Sequence, residues 1–141
     1  MNTHDEVCWG LVQAWLRKAR EDMTAARVLL DGLPGPFDTV AFHAQQAAEK
    51  LLKALLVYHQ IDPPRTHDLS QLLQLLADAE PTVAQRARAA QDLTPHGVLL
   101  RYPGDYEPTD RDTAARLVGL AELVQSVVME ALASRRGRGR R

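Results

Sequence analysis

Aromatic residues are scarce in this 141-residue chain: two Trp, two Phe and three Tyr. Isoleucine occurs once, at Ile61, and runs of β-branched residues are nearly absent. Leu and Ala dominate instead, which favours helix over sheet. The one cysteine, Cys8, excludes an internal disulfide and fits a reducing compartment. Apolar runs such as LLKALLVY are broken by Lys or His well short of the ~20 residues that span a bilayer. The start, MNTHDEVCW, lacks a basic stretch followed by an apolar one. A soluble, cytoplasmic protein with no membrane partner is therefore expected. The length suits one domain that buries roughly 65 to 70% of its unfolded surface.

The formal charge of −1 conceals an asymmetry, because five of the last seven residues are arginine. Without them the body is mildly acidic. The segment 134–141, rich in Arg and Gly, is expected to be a disordered tail beyond a domain of residues 1–133. Its charge alone would attract phosphates; the plainer reading is a solvated extension.

Helical periodicity organises the body. From Val7 to Leu30 the residues Leu11, Trp15, Ala19, Met23, Ala26 and Leu30 mark one apolar face, and DGLPGPF ends the helix. A second helix, Asp38 to Gln60, carries Ala41, Ala44, Ala48, Leu51, Leu52 and Leu55 on its inner face. His43, Gln46, Lys50 and Lys53 form a polar stripe on it. The prolines of IDPPRT terminate it. THDLSQLLQLLADA reads as a short third helix, capped by Thr66 or Asp68, with Leu69, Leu72, Leu73 and Leu76 inward. A fourth runs from Pro81 to Thr94 through Val83, Ala87, Ala90 and Leu93. PHGVLLRYPGDYEP is a connector, too punctuated by Pro and Gly for regular helix. A last helix begins at Thr109 in TDRD, a weak capping box, and buries Ala114, Leu117, Leu120 or Ala121, Val124 and Val128 as far as Ala133. The expected fold is all-α, an antiparallel bundle of four main helices plus a short one.

The connector concentrates chemistry: Arg101, Tyr102, Asp105 and Tyr106 lie within six residues. The sequence HAQQAAEKLLKALL, the following THDLSQLL, and the late RYPGDYEP with TDRDTAARLV together closely resemble the HEPN domain family, over residues from about 10 to 133. The resemblance implies a homodimeric helical bundle, in many members the toxin-like half of a pair with an MNT-type nucleotidyltransferase. Active members are metal-independent ribonucleases whose motif is an arginine followed, after four to six residues, by a histidine. Arg101 stands where that arginine would be. After four intervening residues comes Tyr106, not a histidine.

A ribonuclease of this kind needs a proton acceptor for the 2′-hydroxyl and a cation for the phosphate. Arginine suits the second task through its planar fork, whereas tyrosine, with a reference pKa of ~10, is a poor base at neutral pH. The candidate catalytic residues are thus Arg101 and Tyr106. RNA or nucleotide binding is assigned to Arg101, Tyr102, Asp105, Tyr106, Lys50, Lys53 and His67. The resemblance also makes Tyr102 and Tyr106 candidate acceptors of AMP from an MNT partner. His43, His67 and His96 are alternative bases, with plainer readings as a solvated, a capping and a loop residue; Lys50 and Lys53 read equally as an exposed face. None has metal-ligand spacing, and neither a metal nor another cofactor is expected. Three readings follow: a binding protein of an MNT/HEPN pair, an active endoribonuclease toxin, and a non-catalytic helical adaptor.

Overall fold

The computed structural model describes residues 3–32, 34, 37–98 and 107–139. Among them are five α-helices, one 3₁₀ helix and no strand: α1 (Thr3–Gly32), α2 (Asp38–Tyr58), α3 (Leu69–Leu76), α4 (Pro81–Arg86), the 3₁₀ helix Arg88–His96, and α5 (Arg111–Gly139). The all-α class expected from composition is what the chain adopts.

Contacts along the helices fix their directions. Cys8 near the start of α1 meets Val57 near the end of α2, so these two are antiparallel. Thr109 docks on the start of α2, its N–H donating to Asp38 and its carbonyl accepting from Phe37 N–H. Arg135, at the other end of α5, binds Glu80, which also holds His59 just past α2. Helices α2 and α5 therefore run in the same direction, side by side. The segment formed by α4 and the 3₁₀ helix runs opposite to α5, with Arg86 of α4 near Glu130 and Asp92 of the 3₁₀ helix near Arg116. Consecutive long segments thus alternate up and down.

The core explains α2. Val40, Ala41, Ala44, Ala47, Ala48, Leu51, Leu52, Ala54, Leu55 and Leu56 are all buried, because this helix is packed by α1, α3, the 3₁₀ helix and α5 at once. Alanines in its first half permit close approach, and leucines in its second half fill volume. All four leucines expected to face inward from α3 are buried, and so are Val83, Ala87, Ala90 and Leu93.

Several boundaries and faces differ from the periodicity. Leu11 and Val7 are exposed; Val12 and Leu16 supply the buried positions of α1 instead. The apolar stripe is there displaced by one residue, since Trp9 and Trp15 flank the core rather than enter it. The segment Pro81–Thr94 is not one helix but α4 followed by the tighter 3₁₀ helix, which accommodates Pro95 within its last turn. Asp110, not Thr109, caps α5: its carboxylate accepts from Thr113 N–H at 2.7 Å, and that hydrogen bond holds its pKa below the ordinary value. Helix α5 continues past Ala133 to Gly139. Two interactions carry it: Arg135 binds Glu80 and the Ala79 carbonyl, and the Arg136 guanidinium stacks 3.8 Å from the Trp9 ring. By length and composition α5 passes the test for a membrane-crossing helix. Its buried apolar stripe packs on α2 and the 3₁₀ helix.

The end of α2 carries the backbone's one left-handed non-glycine residue among those described, Gln60 at φ 59°. Gln60 N–H donates to Val57 O and Ile61 N–H to Leu56 O, the paired bonds of a Schellman cap. A β-carbon in this conformation costs roughly 1–2 kcal/mol, and only part of that is returned by glycine's larger unfolded-state entropy. Gln60→Gly is expected to stabilise the fold by ~0.5–1 kcal/mol, read from urea unfolding midpoints.

Burial alone would raise the pKa of Glu80, but the hydrogen bonds from Arg135 and His59 outweigh it and hold the carboxyl below its ordinary value of 4.5. A carboxyl depressed on folding adds stability above its unfolded pKa and loses it as pH falls through the folded value. The stability advantage of wild type over Glu80→Gln should therefore be full above about pH 4.5 and shrink steadily at lower pH. Thermal unfolding across about pH 3 to 7 checks this.

Candidate functional site

Two charged units of the same design lie along the polar side of α2. In the first, Asp22 of α1 receives His43 Nδ1 at 2.9 Å on one oxygen and Lys50 Nζ on the other. In the second, Glu49 receives His67 Nδ1 at 2.6 Å on Oε1 and Lys53 Nζ at 3.0 Å on Oε2. Helical spacing explains the second unit, since Gln45, Glu49 and Lys53 sit four apart and meet on one face. His67 is delivered to it by the extended segment after α2, which turns at Asp68 to start α3; Asp68 caps that helix by accepting from Ser70 N–H.

Burial distinguishes the members. Glu49 and Lys53 side chains are 6% and 9% exposed, whereas His67 is 58% exposed. Gln45 is fully buried and stitches the unit together: its amide donates to Glu49 Oε1 at 3.1 Å and to the His67 carbonyl at 3.0 Å. Gln46 donates to the Gln45 oxygen at 2.7 Å. Trp15 lies against the Lys53 ammonium, 5.7 Å from ring centre to nitrogen. Among the described residues no buried side-chain nitrogen or oxygen is left without a partner. An ion pair this deep is stable only when each lone pair and proton is satisfied in this way.

The fate of the sequence candidates follows. Lys53 and His67 are brought together on Glu49, while Lys50 turns to Asp22. The two lysines are thus each matched to a carboxylate rather than forming a bare cationic pair. His43, taken at its plainest as a solvated residue, is instead part-buried against Asp22. His67 does not cap α3; Asp68 does. Arg101, Tyr102, Asp105 and Tyr106 lie outside the described residues. Their flanks do not: Gly97 packs on Gln45 and His67, and Thr109 on Asp38, so the connector leaves and rejoins the bundle along the first half of α2. No group of three or more His, Cys, Asp or Glu side chains able to hold a metal occurs among the described residues.

Asp22, Gln45 and Glu49 were the members that reading the sequence missed. Their signal was present as AQQAAEKLLK, in which Gln45, Glu49 and Lys53 repeat every fourth residue. Read alone, EKLLK looks like an exposed face; only the arrival of His67 and Gly97 over it turns that face inward.

The model of the HEPN domain matches residues 12–132. The chain belongs to the HEPN domain family. Among solved structures it is similar to TT1696 from Thermus thermophilus, at 28% identity over 84% of this chain and 96% of that one, with a TM-score of 0.67. No curated protein matches the chain.

A Cβ at position 97 would stand 3.0 Å from Gln45 Cδ and 3.1 Å from both Gln45 Nε2 and His67 Cβ. Gln45 is fully buried and fixed by three hydrogen bonds, so it has little room to yield. Gly97→Ala is expected to cost about 1–3 kcal/mol, as overpacking does, and chemical denaturation would register it.

Proposed function

We propose that this HEPN protein binds RNA or a nucleotide where the connector 99–106 meets α2, and that it serves as the toxin-like half of a pair with an MNT-type nucleotidyltransferase. What carries the reading is the seating of the connector's flanks. Gly97 packs on Gln45 and His67, and Thr109 on Asp38, and these two flank Arg101 and the two tyrosines in the sequence. Arg101 supplies the phosphate-binding fork and Tyr102 and Tyr106 supply faces for base stacking. His67 is the exposed cationic or hydrogen-bonding member of the α2 unit. Lys50 and Lys53, matched to carboxylates, set the local field rather than contribute free charge. The expected homodimer would double the site; Tyr102 and Tyr106 are the residues to which a nucleotidyltransferase partner would transfer AMP.

Endonucleolytic cleavage is the second reading, favoured by the exposed, carboxylate-held His67 in a chain whose motif histidine is replaced by Tyr106.

Fluorescence anisotropy with a labelled single-stranded RNA tests the binding. Arg101→Ala should weaken it at least about tenfold, and the slope of log affinity against log salt should fall by about one contact. Unchanged affinity and slope in that variant would remove the connector from the site.

A further inference from the structure

Where α2 ends, an apolar groove of about 490 Å³ lies between its exit and the first turns of α1. Val7, Leu11, Val57, Ile61 and Pro63 form its walls, with Cys8 among them, the thiol donating to the Val57 carbonyl. Val7 and Leu11 are 59% and 53% exposed, so the start of α1 carries apolar surface that the fold does not bury. An apolar recess of this volume with a few polar groups at its edge has the make-up of a small-molecule site.

The rim is of one sign. No lysine or arginine lines the groove, and its carboxylate, Asp62, is exposed and forms no ion pair among the described residues. The remaining titratable groups of the lining are His4 and Cys8, and the first turn of α1 adds the acids Asp5 and Glu6. The last turn of α2 holds no basic residue, and His59 just beyond it is turned to Glu80. No lysine or arginine of that turn therefore offsets the negative end of the helix dipole. The arginines at this end of the bundle are committed elsewhere, Arg135 to Glu80 and Arg136 to Trp9. Gln60 also lines the groove, in the left-handed conformation that glycine would hold with less strain. A side chain kept at such a position serves something other than the stability of its own turn.

We propose that this groove binds an organic cation, an ammonium group carried on an apolar chain or ring. The apolar body covers Val7, Leu11 and Ile61; the ammonium meets Asp62 and the end of α2, with the Gln60 amide oxygen as a further acceptor. The site stands at the opposite end of α2 from Asp38, where Thr109 docks, and is independent of RNA binding.

Titration of the isotope-labelled full-length protein with octylammonium, followed by amide NMR, tests this. Saturable shifts should centre on residues 3–11 and 57–63. Octanoate, with a chain of similar length and the opposite charge, should bind at least about fivefold more weakly, and methylammonium, which lacks the chain, should give no saturable shift. Asp62→Asn should raise Kd about threefold and Leu11→Ser at least about tenfold; both positions are exposed, and circular dichroism checks that the helices are kept. Gln60→Gly should bind about threefold more weakly while gaining stability. Octanoate binding as tightly as octylammonium, shifts that fall elsewhere, or wild-type affinity in any of the three variants overturns the proposal.

Discussion

The arrangement of this bundle depends on one buried carboxylate. Glu49 sits on the helix that α1, α3, the 3₁₀ helix and α5 all pack against, and moving such a group out of water costs several kcal/mol unless its oxygens are fully engaged. Three donors engage them, from Gln45, Lys53 and His67. Two of those come from the same helix and are available as soon as α2 forms. The third arrives from 18 residues along the chain, so satisfying Glu49 also fixes the path of the segment between α2 and α3. Gly97 then packs against Gln45 and His67 of the same unit. A single polar group thereby joins α2, the segment before α3 and the chain just past the 3₁₀ helix. A wholly apolar seam is less demanding about register than a charged one, because leucines tolerate sliding and a half-paired carboxylate does not.

This also accounts for what could be read from the residues alone. The inner face of α2, the four leucines of α3 and the inward stripe of α5 follow from 3.6-residue periodicity, and the HEPN resemblance carried by HAQQAAEKLLKALL and THDLSQLL holds over most of the chain. What escaped were the positions where tertiary contact overrides local pattern. Glu49 and Asp22 look like surface acids until their partners are known. Arg135 and Arg136 look like a disordered basic tail until Glu80 and Trp9 meet them. The connector's aromatic cluster is compositionally odd, whereas the polar ladder of α2 is disguised as ordinary helix.

The two ends of the bundle are built for different tasks. At the end where α2 and α5 finish, Glu80 joins Arg135 and His59, and Arg136 caps Trp9; the charges there are matched within the protein. At the start of α2 Thr109 docks on Asp38, and further along it, where Gly97 packs on Gln45, the most exposed member of the Glu49 network is an imidazole. The first end is closed by its own side chains. The second presents a half-exposed imidazole held on one nitrogen by a buried carboxylate.

That asymmetry bears on the missing motif histidine. A ribonuclease does not require its base at a given place in the sequence, only at the 2′-hydroxyl with the right nitrogen free. An arginine-proximal histidine gains its position from the connector and the helix that follows. A histidine on the segment before α3 must gain it from a partner, and the buried carboxylate of Glu49, immobilised in turn by Lys53 and Gln45, is such a partner. What the fold supplies is a histidine held by a carboxylate whose desolvation cost is already met within the protein, by Gln45, Lys53 and His67 itself.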